Sequence, residues 1–261
     1  MLIETVASDL ECSMSRVSRI ETGKAVARVR DVRDMLGMYG ATDEQRRDFL
    51  FALAREAQQQ GWWERYDKIL PPGLNTYIGL EAEAVVMRNY EVQFIPGLFQ
   101  TREYMAAVYE ASRHWPEGKS SEHSINARLL RQERLSDEDD PLAIWTVIDE
   151  GALRRPVGGV PVMRAQLLRV VELAARSNVT VQVLPLAKGG DAGLAGQFIM
   201  LEFPRTEHPD VVFADTPVDT FYYEKPDEVR WYRLAYDRLI AASLDPAESL
   251  EFIGRVAREL G

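Results

Sequence analysis

Residues 3–23, IETVASDLECSMSRVSRIETG, hold two short helices and the turn between them. Ile3, Val6, Ala7 and Leu10 recur at helical spacing and lay an apolar stripe along one side of the first helix. Glu11 and Cys12 make a tight turn. Ser13 can cap the second helix, in which Met14, Val17 and Ile20 share one face while Arg16 and Arg19 fall on another, and Gly23 ends it.

In a helix-turn-helix the second helix enters the major groove by its N-terminal end, so small polar and basic side chains belong there. Ser13, Ser15, Arg16, Ser18 and Arg19, with Lys24 just beyond, are the candidate DNA contacts. Hydroxyls at a helix start can bond phosphate or base edges, and an arginine can read guanine with two parallel hydrogen bonds. Two amphipathic helices joined by a turn also serve a purely structural end in any α protein, so spacing alone leaves both readings open.

Charge is distributed to suit the first reading. The 261-residue chain has a net charge of -10, which argues against a general polyanion binder. Between Glu11 and Arg33, however, six basic residues (Arg16, Arg19, Lys24, Arg28, Arg30, Arg33) face three acidic ones (Glu11, Glu21, Asp31), a local excess of about +3. The single cysteine, Cys12, leaves no intramolecular disulfide, and three scattered histidines offer no metal-ligand spacing. With no apolar run long enough for a bilayer and no basic flank before an apolar stretch at the start, the expectation is a cytoplasmic chain without a membrane anchor, metal or cofactor.

Outward from this stretch, a helix is expected from about residue 29 to 39, stopping at Gly40. Thr42 with Gln45 spells a capping box for the next helix, running toward Gln60 and Gly61. The Trp62–Trp63 pair and Pro71-Pro72-Gly73 mark a change of character, so the expected division is residues 1–60, a DNA-binding part with its linker helix, and 61–261, an effector or partner-binding domain. In the larger part, helices are expected over 80–89, 101–112, 121–135, 162–176, 226–242 and 246–260. LAIWTVID, VTVQVLPL, QFIMLEF and DVVFAD read as strands. The fold class is therefore α+β: a small all-α N-terminal part, then a larger domain of helices packed on a sheet.

SRVSRIETG (residues 15–23) is similar to the recognition-helix signature of Xre-type helix-turn-helix regulators. GLEAEA (79–84), FIPGLFQTREY (94–104), ALRRPVGG (152–159), VMRAQL (162–167), NVTVQVLP (178–185) and LEFP (201–204) together resemble the WhiJ-like regulators of actinobacteria, whose large C-terminal domain has no assigned function. The resemblance implies a transcription regulator that binds operator DNA, often encoded near a small acidic partner protein and tied to secondary metabolism or development. It also implies one departure, because such domains normally begin with a full helix ahead of the one at Ile3.

Several groups in the larger domain carry candidate chemistry. Glu150 and Arg154, beside Asp149 and Arg155 at a strand end, could serve a ligand pocket or form an ion-pair cluster that fixes the turn. Phe94, Phe99, Gln100 and Tyr104 could line a pocket for a small-molecule effector, or follow simply from a Pro-Gly turn and a capped helix. KGGDAGLAG (188–196) lies between two strands without a following helix, so it reads as a hairpin loop and not a phosphate cradle. Phe221, Tyr222, Tyr223, Trp231 and Tyr232 read as core. No catalytic constellation stands out. The leading expectation is a homodimeric regulator that senses an effector or partner; the alternative is a relative that has lost DNA binding and uses its C-terminal pocket to bind or transform a biosynthetic intermediate, as a cyclase-like enzyme would.

Overall fold

The computed structural model describes residues 2–22, 25–56, 63, 74–111, 121–188, 196–204, 209–216 and 219–260. Expectations that rest on Gly23, Lys24, Gly61, the Pro71-Pro72-Gly73 turn or most of the 188–196 glycine loop lie outside those residues. The chain divides into two compact units, Met1–Glu64 and Arg65–Gly261. Among the described residues no helix is long and apolar enough to cross a membrane.

The described residues of the first unit form four α-helices: α1 Ile3–Asp9, α2 Met14–Glu21, α3 Val29–Met38 and α4 Glu44–Glu56. The apolar stripes of α1 and α2 meet that of α3, burying Val6, Ala7, Leu10, Val17 and Met35, with Ile3, Cys12, Ile20 and Met38 packed around them. Between α1 and α2 the chain turns at Glu11, which takes φ 49°, the left-handed conformation that lets so short a connection reverse direction. Helix α4 starts differently from expectation. Its cap is Asp43, whose Oδ1 accepts from Arg46 N at 3.1 Å, so the box spelled by Thr42 and Gln45 is displaced by one residue.

The second unit is built on a six-stranded mixed sheet in the order β3-β2-β1-β4-β5-β6. The strands are β1 Val86–Glu91, β2 Ala143–Asp149, β3 Val179–Leu184, β4 Phe198–Glu202, β5 Val211–Asp215 and β6 Thr220–Tyr223. β1 pairs parallel with β2 and β2 with β3, whereas β4, β5 and β6 continue antiparallel from the other side of β1. The helices are α5 Leu74–Glu83, α6 Arg102–Ala111, α7 Ser121–Arg131, α8 Glu150–Arg154, α9 Val160–Leu173, α10 Pro226–Ala242 and α11 Pro246–Glu259. The α+β class expected from the sequence is the class observed.

Three expectations need correction. The helix placed over 80–89 ends at Glu83, and VMRNYE is strand β1; buried on both faces, it lacks the clean polar alternation of a half-exposed strand. The glycine loop after β3 is not a hairpin, since β2 and β1 lie between β3 and β4 in the sheet. Of the aromatic group, Tyr223 and Tyr232 do pack against the core while Phe221 and Trp231 are exposed.

Strand alternation sorts the sheet into two faces. On one, Tyr90, Val147, Leu184, Phe198, Met200 and Val212 form a core with Val229, Tyr236 and Leu239 of α10. On the other stand Met87, Asn89 and Glu91 of β1, in register with Ile199 of β4 and, through it, Phe213 of β5. α11 covers the β3 edge, where Ser249 Oγ accepts from Val183 N at 2.9 Å. The α11 start carries a full capping box, Asp245 with Glu248.

Candidate functional site

In the first unit, the described face of α2 turned away from the core carries Ser15, Ser18 and Arg19, with Thr22 at its C-cap, spaced as one side of a helix. The six candidate contacts are not alike. Ser13 caps α2, its Oγ accepting from Arg16 N at 3.2 Å. Arg16 Nη2 donates to Asp31 Oδ2 at 2.8 Å, tying α2 to α3. Ser15 and Arg19 are exposed and Ser18 half-buried, and Lys24 lies outside the described residues. Tyr39 at the end of α3 donates to Glu21, and burial followed by that carboxylate pushes its phenol up to about 12.

In the second unit, a cavity of about 220 Å³ opens on the sheet face that bears Asn89 and Glu91. One wall is the segment FIPGLFQ, residues 94–100, held by side-chain bonds along its length. Tyr104 Oη accepts from Ile95 N, Gln100 Nε2 donates to Ile95 O, Gln166 Nε2 donates to Phe99 O, and Gln132 Nε2 donates to Gln100 O. Phe94, Phe99 and Gln100 therefore line the cavity, while Tyr104 stands behind it as a support. Thr101 caps α6, Tyr104 N donating to its Oγ1 at 3.2 Å.

Glu150 and Arg154 are not part of that lining. They pair with each other at 2.6 Å, Glu150 Oε2 accepts from Leu186 N, and Arg154 also reaches Glu259 of α11. Arg155 donates to Gln93 O. This is the ion-pair arrangement that fixes a turn.

The lining also holds residues that sequence reasoning missed: Asn89, Glu91, Gln197 and Asp215. Glu91 closes β1, Gln197 precedes β4 and Asp215 closes β5, so three strands deliver their ends to one place. Gln197 Nε2 donates to Asp215 Oδ1 at 3.2 Å, and Asn89 Nδ2 lies 3.4 Å from Glu91 Oε1. Burial, followed by the nearby Asp215 charge, pushes the Glu91 carboxyl up to about 8, against smaller opposing effects of Asn89 and Arg128. The signal was present in VMRNYE, whose odd positions share a face once the segment is read as a strand.

Residues 3–49 match a helix-turn-helix domain, and residues 74–255 match a family described as a domain of unknown function, DUF5753. The second match spans more than half of the sequence, so the chain belongs to the DUF5753 family, here joined to an N-terminal helix-turn-helix domain. No curated protein and no solved structure matches the chain.

Proposed function

We infer that the chain is a DNA-binding transcription regulator of the Xre type, akin to the WhiJ-like regulators of actinobacteria, which acts in the cytoplasm as a homodimer on operator DNA. Residues 1–60 read DNA and residues 61–261 respond to a small-molecule effector or to a small acidic partner protein. The observation that carries the reading is the helix-turn-helix match over residues 3–49, together with the free polar face of α2. Ser15, Ser18 and Arg19 are the groups that face offers to base edges, while Ser13 and Arg16 set the helix in place. The effector site is the 94–100 cavity, where Phe94, Phe99 and Gln100 form a pinned wall. Dimerisation follows from the small reading head, since one short helix buries too little DNA for high specificity.

The test is fluorescence anisotropy of the chain on its own promoter, titrated across a salt series. Sequence-specific binding that weakens with salt in proportion to the phosphates contacted supports the reading. Equal affinity for promoter and random duplex at every salt concentration overturns it.

A further inference from the structure

The cavity is two-sided in its chemistry. Phe94, Phe99, Phe213, Met87 and Ile144 supply apolar surface. The remaining wall gathers acceptors. The β1–β4 register pairs Tyr90 with Phe198 and the β4–β5 register pairs Ile199 with Phe213, so continuation by one residue sets Gln197 beside Glu91 on one side and continuation by two sets it beside Asp215 on the other. Asn89 stands one rung below.

Two of these acceptors have no donor among the described residues: Asn89 Oδ1, on a residue 1% exposed, and Gln197 Oε1. A buried amide oxygen left without a donor opposes folding, and such groups in native proteins call for an explanation. Here both sit in the wall of an open cavity beside two carboxyl groups. The two cations that also line it already hold partners of their own, though the Arg128 charge still acts on Glu91. Arg131 forms a double hydrogen bond with Glu81, and Arg128 Nε donates to Tyr109 Oη with its guanidinium over that ring.

We propose that this cavity binds a small organic cation, its ammonium group donating to Asp215 and the amide oxygens of Asn89 and Gln197, with Glu91 as a second carboxyl beside it, while its apolar body lies against Phe94 and Phe99. The proposal rests on the reading of this cavity as the effector site. An ammonium carries three donors and a charge, and so satisfies what the polar wall lacks. An anion would lie against the carboxyl groups and bare amide oxygens of this wall while Arg131 is held by Glu81 and Arg128 Nε by Tyr109, and a neutral polyol would bring no charge to Asp215 and set hydroxyls against aromatic rings. The aromatic wall also suits a cation's body and its attached charge.

Binding is linked to protons. Glu91 faces Asp215 from β5, Arg128 and Arg131 from α7, Tyr77 from α5 and Tyr104 from α6. Near pH 7 it holds its proton; an arriving cation favours the carboxylate, so the proton leaves as the ligand enters.

The experiment is isothermal titration of the full chain, without DNA, with 2-phenylethylamine, its neutral isostere 2-phenylethanol and the anion 3-phenylpropanoate. The amine should bind at least about tenfold more tightly than either. Its affinity should rise from pH 6 to pH 8 with proton release, and Asp215→Asn and Glu91→Gln should each weaken it by about tenfold, with the melting temperature held at pH 6, where the glutamine is an isostere of the protonated Glu91. The alcohol or the anion binding as tightly as the amine, no amine binding up to about 10 mM, or an amine affinity indifferent to Asp215→Asn each overturns the proposal. A parallel anisotropy measurement separates it from the effector reading. An amine that binds without altering promoter affinity keeps this inference and removes the effector role, whereas an alcohol or anion that binds and alters promoter affinity does the reverse.

Discussion

Arg131 of α7 and Glu81 of α5 face each other with two hydrogen bonds of 2.6 Å, Nε to Oε1 and Nη2 to Oε2, and their side chains are 6% and 1% exposed. Tyr77, one helical turn before Glu81, donates its hydroxyl to the same carboxylate at 2.8 Å, and the Arg131 guanidinium lies over its ring. The pair ties together α5 and α7, both of which contribute residues to the cavity lining.

Removal of one partner leaves a buried charge. Arg131→Met should lower stability by about 3–5 kcal/mol, because the Glu81 carboxylate keeps only Tyr77. The double variant Glu81→Leu with Arg131→Met should recover most of that loss, since an apolar pair of similar volume avoids the desolvation of both ions. Urea denaturation of the three proteins checks this. A double variant no more stable than the single one would show that the pair holds more than itself in place.

The two arginines of α2 should behave differently. Arg19 is exposed, so Arg19→Ala should cost about 1–3 kcal/mol of promoter binding and leave the melting temperature unchanged. Arg16 is tied to the buried Asp31, so Arg16→Ala should lower the melting temperature as well. Parallel anisotropy and thermal melts distinguish a contact from a positioning role.

Gly158 precedes α9 with φ +74°, and a Cβ built there would fall 2.8 Å from Val162 and 2.9 Å from Ala107. Gly158→Ala combines an unfavourable backbone conformation with a clash against packed side chains and should destabilise by about 2 kcal/mol or more. Gly40→Ala, at φ +68° with nothing near, should cost less.

The pH dependence of stability should carry the signature of Glu91. Its carboxyl is raised in the folded chain to about 8, so its contribution is fully present below the ordinary glutamate value and is lost as pH rises toward 8. Glu91→Gln should therefore flatten the stability profile over that window and be relatively more stable than the parent at the alkaline end. Melting temperatures of both proteins from pH 5 to pH 9 test the sign.

The helix-turn-helix was legible because its information is local: a Ser13 cap, a turn and two apolar stripes lie within twenty-odd residues. β2 and β3 were legible too, as compact β-branched runs. β1 was not, since Met87 and Tyr90 are both buried, on opposite faces, and the Glu81-to-Val86 boundary carries no glycine or proline to mark it. Losing β1 hid Asn89 and Glu91, and no local pattern could join them to Gln197 and Asp215. Phe94, Phe99 and Gln100 were found because a Pro-Gly turn flags its own neighbourhood; that Gln100 would bond Ile95 O instead of facing a ligand with its amide depends on the loop's closed conformation.

β1 is the seam of the sheet, parallel to its neighbour on one side and antiparallel on the other. Its C-terminal end meets Gln197 and Asp215 only after the chain has made its helical crossovers through β2 and β3 and returned. A nascent chain halted before Val211 owns Asn89, Glu91 and Gln197 but lacks Phe213 and Asp215, so the pocket is complete only once β5 has joined the sheet. Occupancy of that pocket thus reports that β1, β2, β4 and β5 are assembled, and a bound ligand should shield the β4–β5 hairpin from proteolysis as firmly as it shields the walls it touches.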